Sequence, residues 1–142
     1  MSEQTKPICL IVGAGTGLGT GLTTTFAQAG FKVVMARRDS QAVTEQVAGF
    51  VERGFDVHGL TVDACEPDSV NRLFADVIDR FGVPDVVVFN AGRNQRTSIL
   101  DTSFEAFEGL WRANTLAGFL VGQAAAKAMV PRGSGSIFFT GA

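Results

Sequence analysis

Short runs of branched apolar residues alternate along the chain with longer stretches whose apolar positions recur at helical spacing. The runs fall at Ile8–Val12, Lys32–Ala36, Phe55–Val62, Asp85–Asn90 and Ser136–Phe139, and each predicts a strand. After the first, Leu18, Leu22 and Phe26 stand at i, i+4 and i+8, which predicts a helix with these side chains toward the core and Gly30 at its end. Val43, Val47, Phe50 and Val51 form a second stripe. Val70, Leu73, Phe74, Val77 and Phe81 form a third, with Pro67 near its first turn. Thr102-Ser103-Phe104-Glu105 reads as a capping box opening a helical stretch that runs, with a break near Asn114, to about Met129, where Pro131 stops it.

Strand and helix alternating in this way, with strands as uniformly apolar as Val86-Val87-Val88-Phe89, predict a parallel sheet buried on both faces. Right-handed crossovers make it a doubly wound, Rossmann-like α/β sheet of order 3-2-1-4-5, with its ligand crevice at the carboxyl ends of strands 1 and 4. At 142 residues and 46% hydrophobic composition, one domain over residues 1–142 with a sizeable core is expected.

Charge and composition narrow the partners. The net charge is −2 and the twelve basic residues are dispersed, so no strip suits a nucleic-acid backbone. No apolar run approaches the roughly 20 residues that span a bilayer, and Met1-Ser2-Glu3-Gln4 does not resemble a signal peptide, so a soluble cytoplasmic protein is expected. Cys9, inside the first strand, and Cys65, just before a helix, read as reduced core thiols. With a single histidine, His58, no metal centre is expected. That residue reads as a half-exposed side chain on an edge strand without an adjacent acid.

The candidate chemistry lies in Gly13-Ala14-Gly15-Thr16-Gly17-Leu18-Gly19, between the first strand and first helix. A strand turning through glycines into a helix aims backbone N–H groups and the positive helix end at one spot, which suits a pyrophosphate. The spacing G-x-G-x-x-G fails, because position 18 is leucine; G-x-x-x-G-x-G is met by Gly13, Gly17 and Gly19. About 20 residues on, Ala36-Arg37-Arg38-Asp39 ends the second strand, where a dinucleotide's adenosine ribose lies. Arginine there pairs with the extra phosphate of NADP(H), so Arg37 and Arg38 favour that cofactor. Asp39 keeps NAD(H) as the alternative, or else caps the next helix.

These motifs, with Asn90-Ala91-Gly92 after the fourth strand, Asn114 in Trp111-Arg112-Ala113-Asn114 and Asp63 after the third strand, resemble the short-chain dehydrogenase/reductase family over essentially the whole chain. The resemblance implies an oxidoreductase that transfers hydride between a nicotinamide dinucleotide and a small carbonyl or alcohol substrate. It implies that Gly13, Gly15, Thr16, Gly17, Leu18 and Gly19 surround the pyrophosphate and ribose, with the Leu18 N–H a donor and its side chain also in the core. Asp63 and Ala64 would border adenine. Asn90, Ala91 and Gly92 would form the wall near the ribose, with Asn90 also bracing adjacent strands, and Asn114 would be the catalytic asparagine. Dimers and tetramers are common in the family, so a homo-oligomer is expected.

Departures from the family pattern are equally informative. The family's serine, tyrosine and lysine perform its acid-base chemistry, yet this chain has no tyrosine, and the position matching the serine, 28 residues past Asn114, is Ala142. Lys127 follows Gln123 rather than a tyrosine. Trp111, Phe104 and Phe107 read as packing residues of a helix layer, and Arg93 and Arg96 as solvent-facing loop arginines near the cofactor mouth. The sequence closes on Thr140-Gly141-Ala142 without a polar tail, which reads as a cofactor-binding fragment, inactive by itself, whose exposed sheet edge would self-associate. The alternative is a non-catalytic nucleotide-binding or scaffolding module.

Overall fold

The computed structural model describes residues 5–141. Five strands, β1 (Ile8–Val12), β2 (Lys32–Arg37), β3 (Val57–Thr61), β4 (Val86–Phe89) and β5 (Ser136–Phe139), form one parallel sheet of order β3-β2-β1-β4-β5. β1 and β5 have the bounds that the sequence pattern predicts; the ends of the other strands differ by one or two residues, and at β3 the flanking Phe55 and Val62 pack without joining the ladder. Helices α1 (Leu18–Gln28), α2 (Ser40–Glu52), α3 (Pro67–Arg80), α4 (Phe104–Trp111) and α5 (Ala117–Met129) fill the connections. The break expected near Asn114 is a π-helical turn, Arg112–Leu116, between α4 and α5.

Side-chain alternation along buried strands divides the core in two. Cys9 and Ile11 of β1 point into one layer with Val33, Met35, Ala27 of α1, and Val43 and Phe50 of α2. Leu10 and Val12 point into the other with Leu73, Phe74 and Val77 of α3, and Val121 and Ala125 of α5. Burial pushes the Cys9 thiol up to about 12, so it serves as an inert apolar side chain. Cys9 and Cys65 are both free thiols, although Cys65 is only half-buried.

Several expected packing positions shift. On α1 the buried stripe is Gly19, Thr23 and Ala27, with Leu22 and Phe26 partly buried beside it and Leu18 57% exposed. The small stripe lets the helix lie close to the sheet: a Cβ on Gly19 would stand 2.7 Å from the Cα of Ala14. Leu18, at the first turn, is left at the rim. Val51 is exposed because it lies at the outer edge of the α2 stripe, one residue beyond the buried Phe50. Phe104, Phe107 and Trp111 do not pack in a helix layer: no residue of α4 is buried, because the helix stands outside the two core layers.

Local signals elsewhere are realised. Asp39 caps α2 by accepting the Ala42 N–H, Pro67 opens α3, and Gly30 takes the positive φ that ends α1, whereas the cap of α4 falls one residue later than the Thr102–Glu105 box implies: Ser103 accepts the Ala106 N–H, and Thr102 Oγ1 donates to the Ser98 carbonyl. Asp85, whose carboxylate accepts the Ile8 N–H and pairs with Arg132 at 2.9 Å, ties the amino ends of β1 and β4 to the approach to β5. Among the described residues no helix is long and apolar enough to cross a membrane.

Candidate functional site

The carboxyl ends of β1, β2, β3 and β4 open into a cleft of about 690 Å³, within the roughly 300–1,000 Å³ of cofactor and ligand sites. Its floor is the turn after β1, where glycines serve two purposes. Gly13 has φ +90° and lies against the backbone of Ala91, and Gly19 lies against Ala14, so both permit close packing within the protein. Gly15 and Gly17 also line the cleft, but a Cβ on either would meet no protein atom within 4 Å. No side chain caps α1, and among the described residues no acceptor takes the N–H of Leu18 or Gly19. Uncapped N–H groups at a helix start carry the positive end of its dipole into the cleft.

One side of the cleft is formed where β2 and β3 end. Arg37, half-buried, donates from Nη1 to Gln46 Oε1 at 2.7 Å, while Arg38 is exposed at the rim. Asp39 follows them with one carboxylate oxygen engaged in capping α2. After β3, Asp63 accepts the Cys65 N–H and its own N–H is bound by Ser69 Oγ, which fixes the turn presenting Val62, Asp63 and Ala64. Burial, and then the Asp63 charge, raise the Cys65 thiol above its ordinary value, so a neutral thiol lines this wall.

The opposite wall comes from the end of β4. Asn90 donates from Nδ2 to the Gly13 carbonyl at 3.0 Å and accepts from Thr140 Oγ1 at 2.8 Å, so one side chain braces the ends of β1, β4 and β5. Ala91, Gly92 and Arg93 continue this wall. Asn114 holds it in place, accepting the Arg93 N–H at 3.2 Å and donating to the Arg93 and Leu110 carbonyls at 2.9 and 2.8 Å. The π-helical turn puts Arg112 and Ala113 in the lining, and Arg112 reaches Glu66 at 3.7 Å across the rim.

Comparison with known proteins decides what this cleft belongs to. The family model for short chain dehydrogenase matches residues 7–142. The chain belongs to that family. An oxidoreductase of Thermotoga maritima is 31% identical over 130 residues, 92% of this chain and 51% of the relative. An actinorhodin polyketide ketoreductase solved with NADPH superposes with a TM-score of 0.92 at 27% identity, over 98% of this chain and 54% of that one. A gluconate 5-dehydrogenase from Burkholderia cenocepacia, solved in complex with NADP and tartrate, gives a TM-score of 0.88 at 29% identity, over 94% and 52%. The chain thus spans about half the length of the relatives it matches.

Within this member of the family, the structure gathers most of the sequence-predicted site around one cleft. Gly13, Gly15, Gly17, Leu18, Gly19, Arg37, Arg38, Asp63, Ala64, Asn90, Ala91 and Gly92 all line it. Thr16 is exposed beside the lining, and Asn114 stands behind it with its side chain bonded to backbone. Ala142, the position matched to the family's serine, lies outside the described residues. Arg93 is exposed, as expected, and also contributes to the cleft wall, where Asn114 pins its backbone. Cys65, Glu66 and Arg112 also line the cleft and were not singled out from sequence. The signal was adjacency: the first two extend the Asp63-Ala64 turn, and the third lies two residues before Asn114.

His58 lies at the other end of the sheet and is not without an acid. Its Nε2 is 2.8 Å from Asp56 Oδ1, and Asp56 Oδ2 is 3.2 Å from Lys6 Nζ. Burial opposes ionisation of Asp56, but hydrogen bonds from His58 and Lys6 and the charges of Lys6 and Lys32 outweigh it, holding the carboxyl below its usual value. The signal was present in the sequence: Asp56 and His58 are two residues apart, and in a strand over Phe55–Val62 such residues share a face.

Proposed function

We propose that the cleft holds NADP(H) and that the protein is an oxidoreductase moving a hydride between the nicotinamide and the carbonyl or alcohol carbon of a small molecule. The observation that carries the reading is the pair of cleft-lining glycines, Gly15 and Gly17, whose missing side chains relieve no contact inside the protein. Bare backbone there, beside the uncapped start of α1, fits a pyrophosphate that approaches closer than a Cβ would allow. The NADPH and NADP complexes among the structural neighbours support the same class of cofactor.

The preference for the phosphorylated dinucleotide rests on the end of β2. Two guanidinium groups border the cleft, and the nearby carboxylate that would otherwise accept ribose hydroxyls is turned to the Ala42 N–H. In this reading the Leu18 and Gly19 N–H groups hold the pyrophosphate, and Arg37 and Arg38 the 2′-phosphate. Asp63 and Ala64 border adenine, and Asn90, Ala91 and Gly92 form the ribose wall. Asn114 orients the Arg93 loop. The bound cofactor supplies or takes up the hydride, while these residues bind and orient it.

The 142 residues contain no tyrosine, so the proton transfer that the family assigns to that side chain has no donor here, and we expect this chain alone to show no turnover. The same observation favours a second reading, a nucleotide-binding module without chemistry. NADPH oxidation by the longest natural form of the protein, with a panel of carbonyl compounds, separates the two: turnover supports the oxidoreductase, and none with any carbonyl supports the module. Calorimetric titration tests the shared premise. NADPH should bind about tenfold or more tighter than NADH; no binding of either would overturn the premise, and equal affinities would overturn the preference for the phosphorylated dinucleotide.

A further inference from the structure

One polar side chain near the cleft has neither lining position nor family role, yet it joins the two parts of the site. Gln46, half-buried in the middle of α2, accepts Arg37 Nη1–H through Oε1 at 2.7 Å and donates from Nε2 to Thr20 Oγ1 at 3.3 Å. Thr20 Oγ1 in turn donates to the Gly15 carbonyl at 3.2 Å, and the Thr20 N–H reaches the same carbonyl at 3.1 Å. The chain Arg37–Gln46–Thr20–Gly15 therefore runs from the guanidinium to the glycine turn through two helices.

Each link has a defined polarity. A guanidinium only donates, so it takes the carbonyl end of the amide, which leaves the NH₂ end for the threonine oxygen. Thr20 accepts from Gln46 and spends its own proton on Gly15. A residue of the same length without both a donor and an acceptor cannot complete this path. Arg37 is thus held at one nitrogen, which removes rotamer freedom that it would otherwise lose on meeting a ligand, and its remaining N–H groups stay available.

Resting on the NADP(H) reading above, we propose that Gln46 is the positioning residue for cofactor choice: anchored on Thr20, which holds the glycine turn through its own bonds, it presets Arg37 for the 2′-phosphate. Gln46 itself touches no part of the ligand. Its influence should fall on the part of the dinucleotide that Arg37 meets, and so discriminate NADPH from NADH.

Two substitutions test this by calorimetry with NADPH, NADH, 2′,5′-ADP and 5′-AMP. Gln46→Met keeps length and helix propensity but removes both hydrogen bonds; NADPH and 2′,5′-ADP should weaken about fivefold, with NADH and 5′-AMP within about twofold of the unaltered protein. Gln46→Glu puts a carboxylate on Arg37, which competes with the phosphate for it. Here the loss should reach about tenfold or more, again confined to the two phosphorylated ligands. Equal weakening of NADPH and NADH, or no change with either variant, would overturn the assignment while the unaltered protein's preference stands. An unaltered protein that binds NADPH no better than NADH would overturn the cofactor reading, and the Gln46 proposal with it.

Discussion

On the β3 flank the outermost strand is covered and pinned, whereas on the β5 flank apolar side chains stand in the open. Helix α2 lies over β3 so closely that a Cβ on Gly59 would come within 3.1 Å of Val43 and Val47, and His58, Asp56 and Lys6 form a polar clasp at its amino end. At the other edge Phe138 and Phe139 are 52% and 58% exposed, and on α4 Phe104 and Phe107 are 72% and 64% exposed. The polar groups that define the candidate dinucleotide site gather between β4 and the first flank. Binding and association should therefore be separable by mutation, which gives the comparison its tests.

The largest effect should come from the turn between the flanks. At Gly13, φ is +90° and an added Cβ overlaps the Ala91 backbone, which no rotamer change relieves. Gly13→Ala should destabilise the fold by about 3 kcal/mol or more, read as a collapse of the thermal transition. Gly15→Ala makes the converse case. With nothing within 4 Å of its Cβ, it should leave the transition within about 1 kcal/mol of the parent and weaken NADPH by about tenfold or more. If Gly15→Ala unfolds the protein, or leaves binding intact, the division of these glycines into packing and ligand positions is wrong.

Next in size is the charge pair at the end of β2. Arg37→Met with Arg38→Met should reduce NADPH affinity to about that of NADH, a loss of about tenfold or more that shrinks as salt is raised. NADH affinity should stay within about twofold. A parallel loss for both dinucleotides would show that the arginines support the fold or the pyrophosphate rather than a 2′-phosphate.

How much of this was legible in the sequence depended on whether the signal was local. The strand order, the cap at Asp39, the start of α4 to within a residue, the π-helical break beside Asn114 and the gathering of Asn90 with the glycine turn all follow from short motifs or from the handedness of β-α-β connections. What failed needed tertiary knowledge. The α1 stripe moved by one residue, from Leu18 to Gly19, because close approach to the sheet favoured small side chains over large ones. The apolarity of Trp111, Phe104 and Phe107 predicts packing, but apolarity says only that a partner surface is favourable. Gln46 carries no motif; its place becomes visible only when Arg37 and Thr20 converge on it from other elements.

The exposed flank provides the third test. Phe138→Glu puts a charge on the open edge without touching the cleft. If the edge self-pairs, sedimentation at rising concentration should show the parent associating and the variant monomeric, with NADPH affinity within about twofold of the parent. Association unchanged by the substitution would shift attention to the apolar face of α4. A loss of NADPH binding instead would show that the two flanks are not independent.

The smallest effect should come from the clasp on the covered flank. Asp56→Asn keeps the shape but gives up the charge that His58 and Lys6 meet at 2.8 and 3.2 Å, and should cost about 1 kcal/mol, or roughly 3–5 °C in the thermal transition. The sign with pH follows from the lowered carboxyl. Folded Asp56 binds its proton less readily than unfolded Asp56, so its contribution is present above the ordinary carboxylate value and disappears as pH falls through the lower folded value. The difference in unfolding free energy between parent and Asp56→Asn should accordingly be steady near neutrality and close as acid protonates the parent's carboxyl. A difference that instead widened in acid would mean that the clasp does not stabilise the β3 edge through its charge. The contrast between the flanks would then rest on the packing of α2 alone.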